Sequence, residues 1–159
     1  MRTTSTHLAA ASILCFTLAM LAGDVFAQSV KTVAGSYAPV SVPAFGDKPR
    51  GTLILGADGR YALIVTRATM PKIASGIRTN ATAEENKMVV DGSIAHYGTY
   101  TIDDGGNAIT FHVEASTFPN WDGKPQKRPL KASGDTLSYT VTAPSAGGGP
   151  NEVVWKRIK

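Results

Sequence analysis

The sequence predicts an all-β fold: an eight-stranded antiparallel up-and-down barrel with one short helix inserted between the third and fourth strands. Short β-rich runs are separated by turns of Gly, Pro, Asn and Asp, and most of these turns are short. One longer break in the strand pattern carries a helix-start signal. Consecutive strands joined by short turns favour a sheet that closes on itself, because closure leaves no exposed edge.

The clearest hairpin surrounds Asp58-Gly59. These two residue types tolerate the positive φ that a tight turn needs. In the strand that follows, Tyr61, Leu63 and Val65 alternate with a second set of side chains, as in a half-buried strand. The eight predicted strands span residues 32–42, 51–55, 60–67, 96–102, 108–116, 125–131, 136–142 and 152–158.

The inserted helix is predicted to begin at Thr82-Ala83-Glu84-Glu85. This is a capping box, in which the Thr hydroxyl and the Glu three residues later each satisfy an unpaired backbone N–H. Either Gly92 or Gly98 could end the helix, because glycine readily adopts the left-handed conformation found there. The preceding turn-rich segment, Pro71 to Gly76, is interpreted either as a lid over the barrel or as an ordinary surface loop.

Residues 1–27 have the features of a cleaved secretory signal peptide. Arg2 supplies a positive start, residues 8–22 are largely apolar, and Val25-Phe26-Ala27 precedes Gln28 as a small-residue cleavage site. A retained membrane anchor is less favoured, because the apolar run is shorter than the roughly 20 residues that cross a bilayer. The sequence therefore predicts export to the periplasm or the exterior, and a mature barrel domain at 28–159 without a membrane span.

Composition narrows the chemistry of the mature domain. The chain has one cysteine, Cys15, which lies in the signal peptide, so disulfides and thiolate chemistry are not expected. The formal net charge of +4 is spread without a run of like charges, which does not support nucleic-acid binding. No cofactor is predicted, because the glycine-rich run 147–150 leads into a strand rather than into a helix that could hold a phosphate.

Several motifs of the mature chain resemble those of the bacterial lipocalin-like domain family. They lie at residues 34–37, 51–61, 71–76, 94–100, 112–121 and 154–157. The resemblance implies a barrel with an internal cavity for a small, largely apolar molecule. Tyr37 stands where the family usually has Trp, and we expect it to plug one end of the barrel and stack on a cation such as Arg157, with its hydroxyl needing a partner or solvent.

The strand 108–116 carries the most polar candidate face. His112, Glu114 and Ser116 alternate with apolar residues, and the alternation alone favours the apolar face inside and the polar face in solvent. If the polar face instead points inward, it joins other polar groups in a ligand pocket. The candidate ligand-binding residues are His96, Tyr100, His112, Glu114, Ser116, Asn120 and Trp121.

The leading hypothesis is binding of a small hydrophobic or amphipathic molecule in the barrel without chemistry. The alternative is a cofactor-free cyclase or isomerase that uses His112 and Glu114 as acid–base groups in the same cavity. A scaffold or inhibitor that acts through its surface is a third hypothesis. No metal site is predicted, because His96, His112 and Glu114 do not have a recognised ligand spacing.

Overall fold

A computed structural model of the chain describes residues 29–159, which form a closed barrel of eight antiparallel strands. Each strand pairs with the next along the chain, and the last pairs with the first. The predicted fold class is confirmed, whereas the predicted signal peptide lies outside the described residues. The strands are β1 (Gly35–Ser41), β2 (Arg50–Leu55), β3 (Arg60–Thr66), β4 (Ser93–Ile102), β5 (Ala108–Ser116), β6 (Pro125–Ser133), β7 (Thr136–Val141) and β8 (Asn151–Arg157).

Within residues 29–159, two α-helices accompany the barrel: α1 (Val30–Val33) precedes β1, and α2 (Ala83–Gly92) connects β3 to β4. The predicted capping box begins α2. The Thr82 hydroxyl accepts the Glu85 N–H at 3.2 Å, and the Glu85 carboxylate accepts the Thr82 N–H at 2.8 Å. Of the two predicted ends, the structure has Gly92, and Gly98 lies within β4.

The first strand begins later than predicted. The sequence predicted a strand from residue 32, but the Ser29 side chain accepts the Thr32 N–H and caps one turn of helix at α1. The strand therefore starts at Gly35. A Cβ at Gly35 would lie 2.1 Å from Nη1 of Arg157, so glycine gives this guanidinium room to approach the backbone.

Arg157 and Tyr37 close one end of the barrel. The guanidinium carbon lies 4.8 Å from the centre of the Tyr37 ring. The same guanidinium donates hydrogen bonds to the backbone carbonyls of Ala34 and Thr32, at 2.5 and 3.2 Å. The Tyr37 hydroxyl donates to the last carbonyl of α1 at 2.6 Å. The predicted stack, and the need of this hydroxyl for a partner, are both confirmed.

A β-bulge interrupts the pairing of β4 with β5. Tyr97 pairs with Ala115 and Gly98 pairs with Val113, so Glu114 has no partner residue on β4. An extra residue of this kind shifts the alternation of the strand by one position. The bulge therefore changes which side chains of β5 face the interior from Glu114 onwards.

Four longer connections lie together at the other end of the barrel, because neighbouring strands run in opposite directions. They span residues 42–49, 67–92, 117–124 and 142–150. The core between the two ends is built from inward side chains of all eight strands, among them Leu53, Tyr61, Phe111 and Trp155. Within residues 29–159, no helix has the length and apolar character needed to cross a membrane.

Candidate functional site

The barrel contains a cavity of about 350 Å³. Its lining includes residues from all four connections at the open end, for example Val42, Val89, Trp121 and Pro144. The cavity therefore extends from the barrel interior towards the end that Arg157 and Tyr37 do not close.

Apolar side chains such as Leu63, Val65 and Val153 make up most of the cavity lining. Polar groups are few, and among the described lining residues two polar side chains, His96 and Arg128, are buried together with the hydroxyl-bearing ring of Tyr139. An apolar cavity with a small number of convergent polar groups is the usual composition of a small-molecule site.

His96 is held inside the barrel by aromatic residues. Its Nδ1 lies 2.8 Å from the Tyr61 hydroxyl, and its ring meets that of Trp121 edge-on at 5.5 Å between centroids. The residue is 4% exposed. Burial, and to a smaller extent the positive charge of Arg128, lower the pKa of His96 to about 3. The imidazole is therefore neutral at ordinary pH.

Arg128 is a buried cation in the cavity wall. It projects inward from β6 and is 5% exposed. Its guanidinium carbon lies 5.2 Å from the centre of the Phe111 ring and 5.0 Å from that of Tyr139. It also donates a hydrogen bond to Oε1 of Gln126. These contacts fix the plane of the guanidinium between two aromatic rings.

Among the described residues, two buried N–H donors near Arg128 have no acceptor. Nε2 of Gln126 and Nε1 of Trp155 are buried without a hydrogen-bond partner. Burial raises the pKa of the Tyr139 hydroxyl, while the Arg128 charge and the neighbouring Trp155 oppose that rise. Trp155 and Arg128 thus both lie near this hydroxyl. This part of the interior is rich in donors and poor in acceptors.

A family model described as a lipocalin-like domain matches residues 27–158. The chain belongs to the lipocalin-like domain family. No curated protein matches the sequence. Membership agrees with the closed eight-stranded barrel and its internal cavity, and it applies to nearly the whole of the described chain.

Two of the seven candidate residues from the sequence meet at the cavity of this lipocalin-like barrel. His96 and Trp121 both line it and stack edge-on against each other. Trp121 comes from a short 3₁₀ helix, Pro119–Trp121, in the connection between β5 and β6. Asn120, its neighbour, is exposed and does not line the cavity.

The structure places His112 and Glu114 on the outer face of β5, away from the cavity. Both residues are exposed, whereas Phe111 and Val113 point inward and are buried. Glu114 accepts a hydrogen bond from Arg60 at 3.0 Å, in an ion pair whose carboxylate is 45% exposed. The interpretation that this polar face is solvated is therefore the one that the structure supports, because burial of the apolar face decides the orientation of the strand.

Ser116 and Tyr100 lie elsewhere in the barrel. The bulge separates Ser116 from His112 and Glu114, and Ser116 pairs with His96 across the sheet. Its hydroxyl accepts the Phe118 N–H at 3.0 Å, and it does not line the cavity. Tyr100 is buried at the closed end, where its hydroxyl donates to the Gly56 carbonyl at 2.8 Å.

Pro71 to Gly76 do not line the cavity either. Most of this segment is exposed, and it is tied to α2 by a 2.8 Å hydrogen bond from the Ala74 N–H to the Glu85 carboxylate. The part of this connection that reaches the cavity is the last turn of α2, through Val89 and Val90. In this structure residues 71–76 form a surface loop, as the second of the two interpretations of the sequence has it.

A metal site from His96, His112 and Glu114 has no geometric basis, because His96 points into the barrel and the other two point out of it. Within the described part of the chain, no three His, Cys, Asp or Glu side chains come together as a possible metal site.

Sequence reasoning missed Arg128 and Tyr139 as cavity residues. A signal for Arg128 exists in β6, where Leu130 marks the inward face and places Arg128 on the same side. Lys127 and Lys131 lie on the opposite face of this strand and are exposed. Tyr139 follows the same rule, since it shares the inward face of β7 with Leu137.

Proposed function

We propose that this lipocalin-like protein binds a small hydrophobic or amphipathic molecule in its barrel cavity without changing it. One observation carries the proposal: a cavity of about 350 Å³, lined mainly by apolar side chains, opens among the connections at one end of the barrel. Small-molecule pockets in proteins typically measure about 300 to 1,000 Å³ and combine an apolar lining with a few polar groups. The volume suits a compact molecule.

The chemistry of the buried groups supports binding rather than catalysis. A general acid or base works best with a pKa near the operating pH. Burial instead lowers the pKa of His96 to about 3 and raises that of its partner Tyr61. Both groups therefore stay neutral, as a hydrogen-bonded pair suited to orienting a ligand. His112 and Glu114, which the sequence suggested as acid–base groups, lie outside the cavity.

Export is the second part of the proposal. It rests on the sequence of residues 1–27, with a basic start, an apolar run and a small-residue cleavage site before Gln28. Outside the cytoplasm, an apolar molecule of low solubility benefits from a carrier. Amino-terminal sequencing of the protein recovered from its native host should begin at or next to Gln28.

N-phenyl-1-naphthylamine, a neutral apolar dye whose fluorescence rises in apolar surroundings, tests cavity binding. We expect saturable binding to the mature protein with one site per chain. Val153→Phe should weaken that binding at least about tenfold, since Val153 lines the cavity and the larger ring would fill part of it. The measurement is a fluorescence titration at constant protein concentration.

Val154→Phe is the matched control, because Val154 is the next residue of β8 and does not line the cavity. It should leave the dye affinity unchanged within about twofold. Equal weakening by both substitutions, or no saturable binding to the unsubstituted protein, would count against the cavity as the binding site.

A further inference from the structure

The cavity wall contains one buried charge without a countercharge. Among the described residues that line the cavity, Arg128 is the only Lys or Arg side chain. The ion pairs found within residues 29–159 are Arg60 with Glu114, Lys87 with Asp91 and Lys159 with Asp135, and none includes Arg128. Its polar neighbours, Gln126 and Tyr139, are uncharged at ordinary pH.

A buried guanidinium without a carboxylate is unfavourable, because a charge removed from water loses its hydration unless a partner replaces it. Stacking between Phe111 and Tyr139 compensates part of this loss. It does not use the N–H groups. A guanidinium has five N–H donors in a planar fork, and its two polar neighbours, the Gln126 side-chain oxygen and the Tyr139 hydroxyl, can accept from only some of them.

The side-chain amide of Gln126, next to Arg128, is a further donor in need of an acceptor. Within residues 29–159, Nε2 of Gln126 is buried without an acceptor, and Gln126 lies beside Arg128 rather than in the cavity lining. Gln126 precedes Arg128 by two positions on the inward face of β6, so both side chains project from the same side of one strand. The acidic residues of the described lining do not supply an acceptor for Arg128. The one carboxylate there, Asp91, is bonded to Lys87 on α2 at 2.5 Å.

We propose that the ligand is an amphipathic anion whose single acidic group binds Arg128, with the apolar body in the rest of the cavity and with Gln126 holding the guanidinium in place. This inference rests on the proposed function and specifies its ligand class. A planar carboxylate suits the guanidinium fork best, because it can accept two parallel N–H bonds. The neutral His96 and Tyr61 add hydrogen-bonding groups without adding charge.

Two dyes that differ by one anionic group test the proposal. The compound 8-anilinonaphthalene-1-sulfonate carries the same ring system as N-phenyl-1-naphthylamine plus a sulfonate. We expect the mature protein to bind the sulfonate at least about tenfold more tightly. In Arg128→Met, which keeps an unbranched apolar stem, this preference should disappear while the neutral dye still binds.

The charge-matched control is Arg60→Met, which removes an exposed arginine on the outer face of β3 and should preserve the preference. The circular dichroism spectrum of each variant reports whether it is folded, and the preference is the ratio of its two dye affinities. Should Arg128→Met fail to fold, Gln126→Leu provides a second series and should reduce the preference for the sulfonate without affecting the neutral dye.

The outcomes separate the two proposals. If the mature protein binds neither dye, the proposed function fails and this inference fails with it. If it binds both equally, or if Arg128→Met keeps the preference, the anion site is overturned while binding in the cavity stands.

Discussion

Gly98→Ala is expected to lower the free energy of unfolding by about 3 kcal/mol, at the upper end of what overpacking usually costs. A Cβ at this position would lie 2.0 Å from the His112 carbonyl oxygen and 2.9 Å from the Glu114 nitrogen. Both are backbone atoms of the neighbouring strand, so no change of rotamer can relieve the contact. The strand pair must separate locally, at the bulge that orients β5.

Urea denaturation followed by circular dichroism measures this effect, and for a domain of this size it corresponds to a fall in Tm of about 10 °C. The matched control is Gly149→Ala in the connection between β7 and β8, where a Cβ meets nothing within 4 Å. That substitution should change stability by less than about 0.5 kcal/mol. Equal stability of the two variants would contradict the close approach of β4 and β5 at Gly98.

Acid is expected to destabilise the barrel through His96. Burial holds the folded-state pKa of this residue at about 3, against an ordinary value of 6.5. Below pH 6.5 the unfolded chain binds a proton at His96 that the folded state does not bind. The free energy of unfolding therefore falls as the pH is lowered, by up to about 1.4 kcal/mol per pH unit. Between pH 6 and pH 4 the expected loss from this residue is about 2.5 kcal/mol.

Urea unfolding at several pH values measures this loss, and two variants isolate it. In His96→Gln the amide can still bond to the Tyr61 hydroxyl but does not titrate, so the slope of stability against pH should be smaller. His112→Gln is the control, because that imidazole is exposed on the outer face. The lowered carboxyl pKa values of Glu85 and Asp135 also contribute to the slope, but equally in all three proteins. Identical slopes for His96→Gln and the unsubstituted protein would contradict a buried neutral His96.

The barrel could be predicted because its turns and strands are marked by patterns among residues that are close together in the sequence. Turn residues such as Asp58-Gly59 mark where strands reverse, and alternation marks which strands are half buried. The capping box of α2 likewise involves residues only three apart. The contact of the Arg157 guanidinium with the Tyr37 ring joins the first and last strands of the barrel. It was predictable because the sequence resembles the lipocalin-like family.

The candidate site was less predictable because it depends on register between strands. Alternation placed Ser116 on the face of His112 and Glu114, but the bulge opposite Gly98 moves it to the other side. Tyr100 faces inward, yet it lies at the closed end, and only the positions of all the connections show which end that is. A charged residue such as Arg128 is usually exposed, so its position on the same strand face as Leu130 is a weak signal of burial until the neighbouring strands are in place.

The two tryptophans of the chain can report whether a ligand binds inside the barrel. Trp121 and Trp155 both line the cavity. The ¹⁵N-labelled mature protein should therefore show two indole N–H signals that report on the cavity alone. We predict that saturating N-phenyl-1-naphthylamine shifts both indole signals and leaves the backbone amides of the outer-face residues Ile64 and Tyr97 in place. Shifts confined to Ile64, Tyr97 and their outer-face neighbours, with both indole signals unmoved, would contradict a ligand site inside the barrel.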